Sequence, residues 1–280
     1  MSEDVARFFD AMADSYDQLE PWSEHLYAAL HAILRTALRP PPGGRALDAG
    51  CGTGFQSALL DDLGYETHGV DISTGLLAVA RRRLRAPRLA CASVEVLPYA
   101  DATFDAVSCC GSTLSFVERP ECALLEFGRV LRPGGYLLLE CEHKWSLDLG
   151  WALLSSLAGD VLGYRTSVGV LRRQLVRPLR EGFWLDYPAE GAETMRLRLF
   201  THAELSAMLR RAGCTPCRRW GLHSVTNLIP STVLHRPRLP RALGALYRGL
   251  RALDGSVQHL PVAAAFANSV VVLARRTGPA

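Results

Sequence analysis

Apolar residues recur along the chain with two different periods. Near the N-terminus they follow helical spacing over residues 3–18 and 22–38, and a proline- and glycine-rich break at 40–44 ends this region. Short apolar runs then predict strands near residues 46–49, 67–70, 89–93, 104–110 and 136–142. The intervening helices are predicted to end at Asp62, to run from a Ser73 cap to Leu84, and to cover 120–131. Strands that alternate with helices predict an α/β fold, with a parallel sheet and helices on both faces.

The pattern changes after residue 142. Residues 145–200 contain an apolar helix, an arginine-rich stretch and a hairpin predicted to turn at 188–191. Thr201 and Glu204 have the spacing of a capping box, which predicts the start of a helix. The remaining predicted elements are the end of that helix at Gly213, a strand near 217–222, an irregular stretch at 223–268 and a final strand, SVVVLARR.

The composition narrows the functional classes. The 280 residues include 31 basic and 28 acidic side chains, for a net charge of +3, and Lys144 is the only lysine. A small charge spread along the chain does not favour bulk attraction to nucleic acid or to a membrane. The acidic N-terminus lacks a secretory pattern, and no apolar run reaches the length of a membrane span. With eight cysteines and no signal peptide, we expect a soluble, cytoplasmic protein with reduced thiols.

The strongest chemical signal is LDAGCGTGF at residues 47–55. An apolar strand leads into Asp48 and then into glycines at alternate positions before a helix begins. Glycines there allow a tight turn close to a ligand, and a helix N-terminus offers unpaired N–H groups. Asp71 ends the next strand, where an acid is placed to accept hydrogen bonds from both ribose hydroxyls. The G-x-G-x-G spacing differs from the G-x-G-x-x-G of dinucleotide sites and therefore disfavours a nicotinamide cofactor.

Four further stretches accompany this turn. They are FFDAMADSYD at 8–17, SVEVLPYADATFDAV at 93–107, CGSTLSFV at 110–117 and LRPGGYLLLE at 131–140. In this order, the five stretches resemble the class I S-adenosylmethionine-dependent methyltransferases, particularly the group that includes the ubiquinone and menaquinone biosynthesis methyltransferases. The resemblance covers residues 5–143 well, and 200–222 and 268–276 more loosely. It implies S-adenosylmethionine as cofactor and a Rossmann-like, mostly parallel sheet of seven strands, with an antiparallel last strand and inserted lid segments.

On this basis we expect a single methyltransferase domain over residues 1–280. Its expected parts are an N-terminal helical lid at 1–40, a cofactor-binding core at 41–144, a substrate-lid insertion at 145–200, the rest of the core at 201–222 and 268–276, and a second insertion at 223–267.

The positions that match the family's motifs carry its cofactor-binding roles. By this resemblance, Asp48 and the backbone of Gly50 and Gly52 are expected to hold the methionine moiety, and Cys51 and Gly54 are expected to belong to the same cofactor-binding turn. Asp71 is expected to bind the ribose, and Ile72, Ser93 and Val94 the adenine. Tyr16 is expected to close over the cofactor, and Cys110 to border the pocket. The family often has aspartate where this chain has Ser93. An uncharged acceptor makes a weaker hydrogen bond, so we expect lower cofactor affinity.

A general base is harder to assign from the sequence. Alignment alone can lower the barrier by roughly 7–11 kcal/mol, so an acidic nucleophile needs no base. His143, one residue past the predicted fifth strand, is the catalytic candidate because histidine takes up a proton near neutral pH. The alternative is that His143 only caps the strand and bonds to a loop. Tyr16 either orients the acceptor or covers the cofactor, and the second role is favoured. Glu140 and Glu142 are out of phase with their apolar neighbours, so at least one is expected to face solvent or a helix.

No metal site is predicted. Cys214 and Cys217 have a C-x-x-C spacing, but no second pair exists to complete four zinc ligands. The pair follows a helix and begins a strand, whereas redox pairs lie where a strand leads into a helix. His223, just after the predicted sixth strand, is expected to be structural.

The methyl acceptor is expected to be a small apolar or aromatic molecule, because 145–200 is rich in aromatic residues. A functional arginine, if the acceptor is anionic, is expected within 165–180 or 236–251. A leucine stripe flanked by arginines at 241–253 predicts a helix that packs on the protein or contacts a membrane surface. The motifs of DNA base methylation are missing, so no DNA partner is expected. RNA or protein methylation, and cofactor binding without catalysis, are the alternatives.

Overall fold

The computed structural model describes residues 2–17, 21–175, 182–188, 194–236 and 239–278. The helices are α1 (Ser2–Ala11), α2 (Pro21–Ala37), α3 (Phe55–Asp62), α4 (Thr74–Arg83), α5 (Thr113–Phe116), α6 (Pro120–Val130), α7 (Leu147–Leu157), α8 (Val168–Leu175), α9 (His202–Arg211), α10 (Ser231–Leu234), α11 (Arg241–Val257) and α12 (Pro261–Phe266). The strands are β1 (Arg45–Ala49), β2 (Glu66–Asp71), β3 (Leu89–Cys91), β4 (Phe104–Cys109), β5 (Leu131–Glu142), β6 (Phe183–Pro188), β7 (Thr194–Leu199), β8 (Cys214–Leu222) and β9 (Ser269–Arg276).

Seven strands form one sheet in the order β3-β2-β1-β4-β5-β9-β8. The first five are parallel, and β9 runs antiparallel between β5 and β8. The expected mostly parallel sheet with an antiparallel last strand is therefore confirmed. The chain passes from β1 to β2 and β3 on one side and then to β4 on the other. Such a reversal opens a crevice at the carboxyl ends of β1 and β4, where ligands bind in open α/β sheets.

Apolar helix faces cover both sides of this sheet. One core cluster places Leu124 and Phe127 of α6 and Leu205 of α9 against the strands. The other places Leu30 of α2 and Leu60 of α3 against the opposite face. The helical spacing of these apolar residues is what the sequence pattern predicts, because each helix buries one stripe.

Two predicted caps are present at helix starts. The Ser73 hydroxyl accepts a hydrogen bond from the Leu76 N–H at 3.0 Å, and the Thr201 hydroxyl accepts one from the Glu204 N–H at 3.2 Å. The Glu204 carboxylate accepts hydrogen bonds from the Gly182 N–H, at 2.8 Å, and from Arg198. It thereby connects α9 to the β6–β7 hairpin.

Several predicted boundaries differ from the structure. The first helix ends at Ala11 instead of residue 18, and residues 12–17 form turns. Tertiary contacts of this region, described below, replace further helical turns. The fifth strand begins at Leu131, five residues earlier than predicted, because Leu131 pairs with Phe104 before a bulge shifts the register.

The segment 145–200 contains α7, α8 and the antiparallel hairpin of β6 and β7. The predicted hairpin is confirmed, although residues 189–191 of its turn lie outside the described residues. Arg177 and Arg180 of the arginine-rich stretch also lie outside them. Phe183, Leu197 and Leu199 of the hairpin form a small apolar cluster against Phe116.

The segment 223–267 contains α10, α11 and α12. The leucine stripe predicted on α11 divides into two sets. Leu243, Tyr247 and Leu250 pack with Ile229 and Leu234, whereas Leu246 and Leu253 are 55% and 54% exposed. Among the described residues, no helix is long and apolar enough to cross a membrane.

Candidate functional site

The glycine turn after β1 requires residues without a side chain. Gly50, Gly52 and Gly54 have φ angles of 76°, 52° and 85°, in the left-handed region that favours glycine. A Cβ atom on Gly50 would lie 2.3 Å from the Thr113 side chain. The N–H groups of Gly50 and Cys51 donate to the Val70 carbonyl at 2.8 and 3.0 Å. These two bonds hold the turn against the end of β2.

Asp71 connects this turn to the next one. Its carboxylate accepts hydrogen bonds from the Gly52 N–H at 2.8 Å and the Ser73 N–H at 2.9 Å. Burial raises the pKa of Asp71, and these backbone hydrogen bonds act in the opposite direction. Each carboxylate oxygen can accept more than one hydrogen bond, so the side chain keeps capacity for a ligand.

Asp48 lies at the end of β1, between β2 and β4 in the sheet. The Ser57 hydroxyl donates to Asp48 Oδ2 at 2.6 Å. Asp48 is 2% exposed, and burial raises its pKa to about 7. A carboxyl with this pKa changes charge near neutral pH and responds to a nearby cation.

A single cleft brings together most of the residues predicted to bind the cofactor. It encloses about 910 Å³, including the part that is open to solvent. Its lining includes the predicted residues Tyr16, Gly50, Cys51, Gly52, Asp71, Ile72, Ser93, Val94 and Cys110. Three predicted residues do not line it: Asp48, Gly54 and His143. Gly54 begins α3, with its backbone close to Ala80 of α4, so it packs two helices together.

The structure does not bring His143 to the cleft. Its side chain is 2% exposed, its Nδ1 lies 3.2 Å from the Ala267 carbonyl, and its ring centroid lies 4.7 Å from that of His202. Burial lowers its pKa to about 4. A neutral, enclosed imidazole is poorly suited to take a proton from a substrate at neutral pH. This placement matches the alternative role, a strand-end contact to a loop.

The N-terminal segment closes over the cleft through polar contacts. Asp10 accepts hydrogen bonds from the Ser73 hydroxyl at 2.6 Å and the Gly75 N–H at 2.8 Å. Asp17 accepts one from the Thr53 hydroxyl at 2.7 Å and forms an ion pair with Arg83. These contacts place the intervening Tyr16 in the lining of the cleft.

Tyr27 of α2 is a site residue that the sequence did not predict. It lines the cleft and is hydrogen-bonded to Tyr16 through the two side chains. Burial raises the pKa of both phenols, that of Tyr27 well above its ordinary value. Both hydroxyls are therefore neutral at physiological pH. The only sequence signal was a tyrosine on an amphipathic helix, which does not indicate what the hydroxyl contacts.

Two glutamates of β5 hold the loop after β4 from beneath. The Ser112 N–H donates to Glu140 at 2.6 Å, and the Ser112 hydroxyl donates to Glu142 at 2.9 Å. Burial raises the pKa of both carboxyls, that of Glu142 to about 8. Glu140 is fully buried, and both side chains face the loop that begins the short helix α5. Ser112 has a φ of 59°, so this support maintains a backbone conformation that is uncommon for serine.

The lining of the cleft suits a nucleoside with a polar, charged extension. Asp71 offers a carboxylate to ribose hydroxyls, Ile72 and Val94 offer apolar surface to a base, and Ser93 offers a hydroxyl. The backbone of Gly50 and Gly52 approaches the ligand space without side chains in the way. These residues fit S-adenosylmethionine.

The comparisons with known proteins agree with this fit. A family profile described as a methyltransferase domain matches residues 47–139. Demethylmenaquinone methyltransferase of Renibacterium salmoninarum is 34% identical over 155 residues, which is 50% of this chain. That match spans 60% of the relative's own length. Malonyl-[acyl-carrier protein] O-methyltransferase of Serratia marcescens is 34% identical over 195 residues, 66% of this chain and 72% of that protein.

A solved structure extends the similarity to nearly the whole chain. It is 1,6-didemethyltoxoflavin-N1-methyltransferase of Burkholderia thailandensis, crystallised with 1,6-didemethyltoxoflavin and S-adenosylhomocysteine. The TM-score is 0.54 at 19% identity, covering 99% of this chain and 87% of the other, and this likeness concerns the fold alone. The sequence relatives, together with the glycine turn and Asp71 at the cleft, establish that the chain belongs to the S-adenosylmethionine-dependent methyltransferase family.

Proposed function

We propose that this protein binds S-adenosylmethionine in the cleft and transfers its methyl group to a small apolar or aromatic molecule. The observation that carries the proposal is the composition of the cleft. Asp71 and the glycine turn line one part of it, while Val5, Phe9 and Phe116 contribute apolar surface to the same space. One cleft therefore accommodates a polar nucleoside and an apolar acceptor together.

The residues that hold the cofactor lie at or just after the ends of β1, β2 and β3. Asp71 accepts hydrogen bonds from the ribose, Ile72 and Val94 contact the adenine, and Ser93 bonds its edge. The Asp48 carboxylate favours the ammonium of the methionine moiety through bridging groups. When bound, S-adenosylmethionine supplies a methyl group on a sulfonium, which reacts with an aligned nucleophile without an added base when that nucleophile is acidic.

The protein's own contribution is alignment and the exclusion of water. Tyr16 and Tyr27 place two neutral phenols, hydrogen-bonded to each other, in the lining of the cleft. They act as hydrogen-bonding groups that orient the acceptor and do not act as bases, because burial keeps them protonated. Asp10 and Asp17 hold the N-terminal segment over the cleft and so exclude solvent.

Apolar surface on the acceptor side favours an aromatic acceptor. The two sequence relatives are named for demethylmenaquinone and for malonyl-acyl-carrier protein, which differ greatly in size and polarity. Phe9 lies with its ring centroid 5.5 Å from that of Phe116, at an interplanar angle of 88°. An aromatic acceptor would extend this apolar packing, and a soluble demethylated quinone analogue is therefore the first compound to assay.

Methyl-labelled S-adenosylmethionine distinguishes this proposal from its alternatives. Wild-type protein is incubated with small-molecule, RNA and protein fractions of a bacterial lysate, with Asp71→Ala as the control. Label in the organic-soluble small-molecule fraction, and only with the wild type, supports the proposal. Label in RNA or protein would contradict the acceptor class. Cofactor binding without label in any fraction would favour a non-catalytic binding protein.

We also propose that α11 contacts an anionic membrane surface from which an apolar acceptor is taken. Leu246 and Leu253 are exposed on this helix, and Arg241 and Arg248 beside them are exposed as well. Exposed leucines flanked by arginines match the chemistry of an interface with anionic lipid headgroups. The wild type should co-sediment with vesicles of anionic phospholipid. The double variant Leu246→Ser, Leu253→Ser should no longer do so.

Leu125 of α6 provides the matched control for this assay. It is 53% exposed on a different helix, and its replacement by serine should leave co-sedimentation unchanged. Equal binding by all three proteins, or no binding by the wild type, would contradict the membrane contact.

A further inference from the structure

A second group of titratable side chains meets outside the cleft. His25 lies on α2, His223 follows β8 directly, and Asp254 lies on α11. The three are 8%, 0% and 3% exposed. One potential ligand atom from each lies within 4.8 Å of the other two. Three elements that are distant in the sequence thus direct two imidazoles and a carboxylate to one buried point.

The backbone at His223 supports a specific orientation of this side chain. Its φ is 56°, in the left-handed region that residues other than glycine rarely adopt. Such a conformation is unfavourable for a residue other than glycine and persists where the surroundings hold it. Here it turns the chain between the end of β8 and the short 3-10 helix Thr226–Leu228, and it leaves the imidazole fully buried.

The hydrogen bonds around the group define the tautomer of His223. The Thr226 hydroxyl donates its single proton to Asp254 Oδ2 at 2.6 Å, so it accepts at its other contact, His223 Nδ1 at 3.0 Å. The proton of His223 is therefore on Nδ1, and the lone pair is on Nε2. Histidines that bind metals are typically oriented in this way, with the second ring nitrogen donating to a neighbour.

The carboxylate is oriented in the same way. Asp254 Oδ1 accepts a hydrogen bond from the Val225 N–H at 2.7 Å, and Oδ2 accepts one from the Thr226 N–H at 3.2 Å. Bonds of this kind restrict a ligating carboxylate to one position. Because both donors belong to the turn after β8, they also join α11 to the sheet.

The distance between His25 and Asp254 fits a shared ion better than a direct hydrogen bond. His25 Nε2 lies 3.4 Å from Asp254 Oδ2, which is long for an N–H···O bond. Ligands of a tetrahedral zinc ion with bonds of about 2.0–2.1 Å are separated by about 3.3 Å, so the wider separations in the group, up to 4.8 Å, would close when the ion binds. The two rings are perpendicular, with centroids 4.8 Å apart, so their edges approach without stacking.

We propose that His25, His223 and Asp254 bind one divalent transition-metal ion, with zinc as the best match to two imidazoles and one carboxylate. A tetrahedral ion held by these three residues would take water as its fourth ligand. The ion joins α2, the end of β8 and α11, and so ties the segment 223–267 to the N-terminal part of the chain. Since His25 is two residues before Tyr27, the site also stabilises the helix that presents Tyr27 to the cleft.

The test uses full-length protein that has been treated with a chelator and dialysed. Titration calorimetry with zinc should give one site per chain, and zinc should raise the Tm. Cobalt added in place of zinc should give the visible absorption of a tetrahedral complex. A wild-type protein that binds neither ion, or that binds zinc without a rise in Tm, would overturn the proposal in favour of a purely hydrogen-bonded cluster.

Variants locate the site. His25→Gln and His223→Gln should each weaken zinc binding by about 10- to 100-fold or more, judged from the usual effect of losing even an outer partner of a metal. His259→Gln is the matched control because His259 is exposed in the same segment. It should bind zinc as the wild type does. Equal zinc affinity in all four proteins would contradict the assignment. Circular dichroism checks that each variant is folded, and the cobalt spectrum of the wild type tests the proposal independently of any variant.

Discussion

The carboxylate of Asp71 accepts a hydrogen bond from the backbone N–H of Gly52 at 2.8 Å. The acid at the end of β2 therefore shapes the glycine turn after β1 while it lines the cleft itself. Its second backbone bond, from the Ser73 N–H, extends this control to the start of α4. The Asp71 side chain thus holds in place two loops that border the ligand space.

Replacing Asp71 with alanine should weaken binding of S-adenosylhomocysteine by roughly 100-fold. The expected loss is about 1.5–3 kcal/mol for each hydrogen bond to a charged group, and the turn also loses its anchor. Titration calorimetry measures the effect. Asp62→Ala, at an exposed acid that ends α3, is the control and should bind normally. If the two variants bind equally well, the assignment of Asp71 to the ribose is wrong.

Cofactor affinity should increase as the pH rises from 6 to 8. Burial raises the pKa of Asp48 to about 7 in the free protein, and a cationic ligand favours the carboxylate form. Below pH 7 each added pH unit should therefore tighten binding by up to about tenfold, with a plateau above it. Calorimetry at three pH values checks this, and Asp48→Asn should be nearly independent of pH. If cofactor affinity depends on pH equally in the wild type and in Asp48→Asn, another titrating group is responsible.

Deprotonation of Asp48, which favours cofactor binding, should lower the stability of the free protein. The pKa of Asp48 is higher in the folded than in the unfolded chain, so folding favours its protonated form. Its contribution to the free energy of unfolding is complete at low pH and is lost as the pH rises through about 7. Measured by chemical denaturation, the free energy of unfolding should decrease less from pH 5 to pH 8 in Asp48→Asn than in the wild type.

Tyr27→Phe should reduce turnover by about 2- to 12-fold while leaving cofactor affinity within about twofold. The substitution keeps the ring against Phe55, at a centroid distance of 5.8 Å, and removes only the hydroxyl that bonds Tyr16. The expected size is that of one lost orienting hydrogen bond, about 0.5–1.5 kcal/mol. Tyr136→Phe is the control because Tyr136 is exposed on the sheet. Unchanged turnover in Tyr27→Phe would mean that the hydroxyl does not orient the acceptor and that Tyr27 contributes only packing.

Acid should destabilise the wild type more than His143→Gln between pH 6.5 and pH 4. Burial lowers the pKa of His143 to about 4 in the folded chain, so the unfolded chain takes up this proton first as the pH falls. The contribution of neutral His143 to the free energy of unfolding is complete above pH 6.5 and is lost as the pH falls to about 4. The total loss is about 3 kcal/mol at most. Denaturant titrations over this range measure it. His259→Gln should follow the wild type, and an identical pH slope in His143→Gln would refute the explanation.

Gly50→Ala should abolish cofactor binding and lower the Tm. The new methyl group would lie 2.3 Å from the Thr113 side chain, and the φ of 76° would be strained as well. Gly150→Ala is the matched control on α7, where a Cβ atom meets nothing within 4 Å. It should stabilise the protein by about 0.5–1 kcal/mol, as expected for alanine in a helix. Adding Thr113→Ala to Gly50→Ala should restore part of the Tm, since it removes the two closest atoms but leaves the Thr113 Cβ at 2.8 Å and the backbone strain.

Much of the cofactor site was predictable because its parts are local in the sequence. The glycine turn and Asp71 each follow a strand that the apolar pattern identifies, and the ends of parallel strands meet at one edge of a sheet. Ser93, Val94 and Cys110 were placed by the resemblance to the family's motifs, and each of them follows a strand. Strands β8 and β9 were also predicted, near residues 217–222 and at SVVVLARR, although their pairing needs long-range contacts.

The catalytic side was not predictable by the same means. Asp71 is the last residue of β2, and His143 directly follows β5. At His143, however, the backbone pairs with Phe200, and the imidazole is enclosed against Ala267 and His202. Tyr27 reaches the cleft only because α2 packs beside it, and no local pattern records that contact. Likewise, the cluster of His25, His223 and Asp254 joins residues up to 229 positions apart. Side chains brought together by tertiary packing have no spacing to recognise.

The contacts of Asp10 and Asp17 have a consequence for the rate of the reaction as well as for affinity. Asp10 holds the start of α4, and Asp17 holds Thr53 and Arg83, so residues 10–17 bridge the two turns on which the cofactor rests. Under the proposed function, we expect the exchange of spent cofactor for fresh to break these hydrogen bonds as the cleft opens. The breaking of the Asp10 and Asp17 contacts is then expected to set an upper limit on the number of turnovers per second.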